Sequence, residues 1–105
     1  MDRTADIVRE LSNFKRHISN SMKIQAMIFF GSHATGKAGP WSDIDLIIVS
    51  PMFRGIRFRR RALGLHKHWA IDLPVDFLCY TPEEFERKKK EIGVVNEAVK
   101  EGIVI

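Results

Sequence analysis

Asp43 and Asp45 stand two apart at the head of an apolar run that continues through Leu46-Ile47-Ile48-Val49. In a strand, residues i and i+2 point to the same face, so both carboxylates project side by side. Like charges so placed repel one another and are costly to desolvate unless a cation lies between them. Such a pair points to a metal site. Upstream, Phe29-Phe30-Gly31-Ser32 ends an earlier apolar run in a Gly-Ser turn, and a short Gly-rich link joins that turn to Ser42-Asp43. A third carboxylate, Asp76, follows Pro74-Val75 at the start of a third apolar run.

Carboxylates are hard oxygen ligands, suited to Mg²⁺ or Mn²⁺ and unsuited to zinc. Two such ions held about 3.5–4 Å apart can clamp the attacking and leaving oxygens of an in-line phosphoryl displacement. In that chemistry Asp43 and Asp45 bridge the ions to a triphosphate. Asp76 holds the ion nearer the attacking hydroxyl and can accept its proton. Gly31 lets the backbone approach a phosphate closely. The turn amides, the Ser32 hydroxyl and the positive start of a helical turn over Ser32 to Lys37 then hold the β- and γ-phosphates. Each feature alone has a plainer explanation: a Gly-Ser pair is an ordinary turn, Ser-Asp an Asx-turn or cap, and Asp76 an exposed strand end. Their order and placement along the chain favour the chemical one.

The elements that position these groups follow from periodicity. Ile7, Leu11, Phe14 and Ile18 recur at helical spacing, which predicts a helix over 4–18 closed by Ser19-Asn20-Ser21. His17 falls in its last turn, where the helix dipole favours a cation, and it is not assigned as a ligand. Strands are predicted over 24–30, 42–49 and 75–80. Between the second and third lies a basic, Gly-interrupted loop from Met52 that runs into a helix near 60–69. Thr81-Pro82-Glu83-Glu84 carries a capping box with proline at the first helical position, so a helix runs from there to about Glu91. A shorter helix over 95–100 precedes Ile103-Val104-Ile105, an edge strand. For Gly31-Ser32 and Asp43-x-Asp45 to form one site, the first two strands must be antiparallel. A helical crossover makes the second and third parallel and brings Asp76 to the same end of the sheet. The fold class is α/β: a small mixed β-sheet flanked by helices.

At 105 residues, 45% hydrophobic and 29% charged, the chain has the composition of one globular domain, residues 1–105. No apolar run is long enough to span a bilayer. The start, Met1-Asp2-Arg3-Thr4, lacks the pattern of a signal peptide, and the expected location is cytoplasmic. The single Cys79 sits in an apolar run and is expected to be a small buried side chain. The net charge of +4 is unevenly placed, with five arginines in 54–61 and a second cluster at Arg87-Lys88-Lys89-Lys90. Basic clusters attract phosphates, nucleic acid or an acidic partner, or form solvated helix faces. A nucleic-acid reading of Arg54–Arg61 ranks last, because it leaves the three aspartates without a role.

Gly31-Ser32-His33-Ala34-Thr35-Gly36, then Ser42-Asp43-Ile44-Asp45-Leu46, then Val75-Asp76, resembles the signature of the minimal nucleotidyltransferases of the DNA polymerase β superfamily. The resemblance covers nearly the whole chain and implies the polymerase β-like nucleotidyltransferase fold. It also implies that Gly31 and Ser32 bind the nucleotide triphosphate, and that Asp43, Asp45 and Asp76 are the metal ligands and catalytic carboxylates. Members of this group often carry arginine where this chain has Thr35, and sometimes where it has His33, so one fixed positive charge is missing here; Lys37 or the Arg57–Arg61 cluster is the candidate substitute. The resemblance further implies ATP as substrate, two Mg²⁺ ions, and a partner. Many such stand-alone domains are antitoxins of helical HEPN toxins, and some transfer AMP to a hydroxyl of the toxin. The alternative is an inactive antitoxin that neutralises its partner by contact alone.

Overall fold

The computed structural model describes residues 3–105, so Met1 and Asp2, on which the reading of the N-terminus partly rests, lie outside the described residues. Helix α1 spans Thr4–Ile18, and Ile7, Leu11, Phe14 and Ile18 are its buried residues. Strands β1 (Ala26–Phe30) and β2 (Ile44–Val49) follow, then a 3₁₀ turn at Pro51–Phe53 and two single-turn helices, α2 (Phe58–Arg61) and α3 (Leu63–His66). Strand β3 (Val75–Tyr80), helices α4 (Pro82–Lys88) and α5 (Val94–Glu101) and strand β4 (Ile103–Val104) complete the chain.

The four strands lie in the order β3-β2-β1-β4. β1 pairs antiparallel with β2 and β4, while β2 pairs parallel with β3 across the α2–α3 crossover. The predicted strand directions hold, and β4 is the predicted edge strand. The pleat sorts the side chains. Met27, Phe29, Ile44, Leu46, Ile48, Phe77 and Cys79 form one core with α1. Ile28, Ile47 and Val49 form a second core with Phe85, Val95 and Ala98 of α4 and α5. The near-continuous apolar run of β2 follows from this burial on both faces, each enclosed aliphatic side chain contributing about 1.5–3 kcal/mol.

Local contacts fix the ends that matter. Trp69 packs edge-on against Phe14 with ring centroids 5.1 Å apart, and its indole N–H donates to the Leu73 carbonyl at 2.8 Å. That ties down the segment leading into β3 and Asp76. The capping box is present in full, with Glu84 N–H donating to Thr81 Oγ1 at 3.2 Å and Thr81 N–H to Glu84 Oε1 at 2.8 Å. α4 nevertheless stops at Lys88, short of the predicted Glu91.

Two expectations need correction. The helix predicted near 60–69 is two single turns, with Gly64, a weak helix former, inside the second. The basic segment before it is also not a loose loop. Ser50 caps the 3₁₀ turn, Phe53 is buried, and two of the five arginines are held by acids of α4. Arg54 pairs with Glu83 at the surface. Arg61 is buried, donating to the Ile56 carbonyl at 2.8 Å, to the Cys79 carbonyl at 3.1 Å and to both carboxylate oxygens of Glu84. Its bond to Cys79 satisfies a carbonyl on the outer edge of β3, which blunts that edge against pairing with another chain. Cys79 is buried as expected, and burial pushes its thiol up to about 12, the Arg61 charge acting in the opposite sense. Among the described residues no helix is long and apolar enough to cross a membrane.

Candidate active site

The sheet brings three of the five predicted residues to one edge. Asp45 is the register partner of Asp76 across the parallel β2–β3 pair and of Phe30 across the antiparallel β1–β2 pair. Strand partners lie about 4.8 Å apart, and these two acids share the face that also carries Ile47 and Leu78. Gly31, next after Phe30, has φ +81, and a methyl group built on it would overlap Oδ2 of Asp45 and reach its Cγ at 3.1 Å. Gly31 is therefore required twice over, by its backbone and by the carboxylate against it.

Burial pushes the Asp45 carboxyl above its ordinary value, the Asp76 and Asp43 charges push the same way, and the His33 charge opposes them. Asp43, one residue before β2, thus lies within electrostatic reach of the pair. Among the described residues no three His, Cys, Asp or Glu side chains are gathered into a closed metal cluster. Mg²⁺ commonly binds through one or two carboxylates, with substrate phosphates and water completing its shell. An Asp45–Asp76 pair, raised in energy by like charge and cradled against a glycine, fits that ion.

The turn after β1 is not a helix. Ala34 and Thr35 N–H donate to the Gly31 carbonyl at 3.1 and 3.2 Å, and Lys37 N–H donates to Ser32 at 2.9 Å. The helix-dipole contribution predicted for Ser32–Lys37 therefore gives way to local turn amides, because Gly36 at φ +76 turns the chain away. The Ser32 hydroxyl and the Ser32 and His33 amides bond to nothing among the described residues and remain available to an anion. The Thr35 hydroxyl is occupied, donating to the Ser32 carbonyl at 3.2 Å.

His33 proves to be more than a loop histidine. Its Nε2–H donates to the Ser42 carbonyl at 2.9 Å, while its own carbonyl accepts from Thr4 Oγ1 at 3.0 Å. It fastens the turn after β1 to the segment that leads into Asp43. A cavity of about 350 Å³ opens beside Gly31, walled by Phe30, Thr35 and Lys37 and, from α5, by Glu97 and Glu101. Those two acids were not foreseen. They are one helical turn apart and so share a face, but nothing local says that α5 crosses this end of the sheet.

Residues 8–104 match the family model of the nucleotidyltransferase domain. The chain belongs to that family. A nucleotidyltransferase-domain fold is borne out by a solved structure, a candidate nucleotidyltransferase from Sulfolobus solfataricus, at a TM-score of 0.68. It is 17% identical, with 98% of this chain and 82% of that one covered, a likeness of fold alone. A second solved candidate nucleotidyltransferase is 25% identical over 79% of this chain and 87% of its own, with a TM-score of 0.46. No curated protein matches the chain.

Proposed function

We propose that this domain is an Mg²⁺-dependent nucleotidyltransferase that moves AMP from ATP to a hydroxyl of a helical, HEPN-type partner protein, as the antitoxin of a toxin–antitoxin pair. The observation that carries the catalytic half is the register pairing of Asp45 with Asp76 against Gly31. The partner and its toxin role rest on the resemblance given above.

The acceptor oxygen forms a bond to the α-phosphorus of ATP, the bond from that phosphorus to the β-bridging oxygen breaks, and pyrophosphate leaves. Ser32, with the free amides of Ser32 and His33, holds the departing phosphates. Asp76, on the strand farther from that turn, takes the proton of the acceptor hydroxyl. Asp43 and Asp45 are the residues that would hold Mg²⁺, and Asp76 would complete the set. When bound, the ion supplies neutralisation of the phosphate oxygens and of the leaving pyrophosphate. Lys37 lines the nucleotide cavity and stands in for the charge missing at Thr35. Glu97 and Glu101 on the opposite wall suit ribose hydroxyls or a base amino group, which donate to carboxylates.

The test is to incubate the domain with ATP, Mg²⁺ and the product of its neighbouring gene, and to weigh that protein by mass spectrometry. Gain of one adenylyl group, lost with Asp43→Ala plus Asp45→Ala, is the expected result. No gain, or gain that survives the double substitution, ends the proposal.

The contact-only reading is favoured by one feature: Thr35, with its hydroxyl spent on backbone carbonyls, stands where a phosphate-facing arginine is common. It requires the double aspartate variant to suppress the partner fully, and any loss of suppression counts against it.

A further inference from the structure

The sheet order sets a direction across the site. Gly31 follows β1, Asp45 lies on β2, and Asp76 lies on β3, an edge strand. With the triphosphate at the Gly31 side, in-line attack brings the acceptor hydroxyl from the β3 side. Beyond Asp76 the same face of β3 presents Leu78 and Tyr80, two and four residues along, or about 7 and 13 Å at the rise of a strand.

Leu78 and Tyr80 form the floor of a groove of about 410 Å³, walled by Phe58 and Val94 and flanked by Arg87 and Lys88. A second hollow sharing Tyr80, Lys88 and Val94 extends it past Glu91 to Ile92. The groove is apolar and open: Phe58 is 44% exposed, Val94 55%, and Ile92 wholly so. Glu84 in its wall is neutralised by Arg61. By contrast Arg87 and Lys88, and Arg57, Arg59 and Arg60 around Phe58, have no acidic partner among the described residues. The surface is therefore an aliphatic and aromatic trough with a mainly cationic rim, to which Glu91 beside the second hollow is the acidic exception.

We propose that this groove is the docking site of the acceptor, and that its occupant is an acidic polypeptide segment with apolar side chains, which delivers a hydroxyl to Asp76. The proposal rests on the nucleotidyltransferase reading and adds to it the path and chemistry of the acceptor. A polypeptide fits better than RNA because Leu78, Val94 and Ile92 offer no flat face for a base. The two aromatic rings, Phe58 and Tyr80, already pack on each other at 5.4 Å. Charge complementarity selects an acidic partner and sets its orientation.

A random copolymer of glutamate and tyrosine is the probe, with a lysine–tyrosine copolymer and oligoadenylate as comparisons. Binding is measured by fluorescence anisotropy, and Mg²⁺–ATP binding is measured separately by calorimetry. The acidic copolymer binds, and the basic one does not. Arg87→Glu with Lys88→Glu weakens it more than about tenfold, as charge reversal at a docking rim should. Val94→Asp, at an exposed position, weakens it too, and ATP binding stays unchanged in both variants. Failure of the acidic copolymer to bind, or binding indifferent to both changes, overturns the proposal. So does oligoadenylate binding that these substitutions weaken in its place. Loss of ATP binding by the unaltered domain would instead sink the nucleotidyltransferase reading, leaving the copolymer result to decide the groove by itself.

Discussion

Asp45 and Asp76 face each other in register on adjacent parallel strands, two carboxylates where a sheet ordinarily places apolar or oppositely charged neighbours. Like charges directly opposite destabilise a sheet. Removing one of them should therefore make the protein more stable and less active. Asp76→Asn is expected to raise Tm by a few degrees in chelator. Mg²⁺ should raise Tm of the unaltered domain, stabilising it by about 2.7 kcal/mol at a hundred times its Kd, and at the same concentration raise Tm of the variant, which keeps Asp43 and Asp45, by less. Thermal melts with and without Mg²⁺ check both signs; destabilisation by Asp76→Asn in chelator would contradict the account.

Gly31 and Gly55 share nearly the same backbone, φ +81 and +79, but only Gly31 has a carboxylate pressed against it. Alanine at Gly55, which has nothing within 4 Å, should cost about 1–2 kcal/mol, the ordinary penalty of a left-handed residue. Alanine at Gly31 should cost about 1–3 kcal/mol more, as overpacking does, and displace Asp45. Urea unfolding of the two variants gives the difference, and equal costs would mean that Asp45 is not held where the structure has it.

The arginine cluster divides by environment. Arg61→Ala leaves Glu84 half-buried without its partner and should cost about 3–5 kcal/mol. Arg57→Ala and Arg60→Ala should stay within about 0.5 kcal/mol, as exposed positions do. Denaturant midpoints measure all three.

The same ion pair sets the acid limit of the fold. Hydrogen bonds from Arg61 hold the Glu84 carboxyl down from its ordinary 4.5 to about 2, against the opposing effect of burial and with help from Thr81. A carboxyl depressed in the folded state contributes stability that is complete above its ordinary range and is lost as pH falls from about 4.5 towards 2. Glu84→Gln should lower stability at neutral pH and flatten that acid limb. Stability curves between pH 2 and 7 decide it.

Much of this was legible beforehand. The spacing of Ile7, Leu11, Phe14 and Ile18 defined α1 to the residue, the capping box marked α4, and the demand that Gly31 meet Asp45 set the strand directions. What stayed hidden depends on contacts between distant segments. Five arginines look alike in sequence, and only the approach of Glu84, at the start of α4, makes Arg61 a buried structural group. Glu97 and Glu101 look like solvated helix positions until α5 is seen to cross the end of β1. His33 bonds to Ser42 across a loop with no periodicity to interpret, and Gly36 reverses a turn that local sequence allowed to become helix.

Nucleotidyl transfer differs from phosphoryl transfer in which label travels. The most direct test supplies ATP labelled at the α- or the γ-phosphate, with Mg²⁺ and the proposed helical partner, and follows the label on a denaturing gel. The account predicts that α-label appears on the partner, that γ-label leaves as pyrophosphate, and that Asp45→Asn abolishes both. Transfer of γ-label, or α-label transfer undiminished by Asp45→Asn, would contradict it.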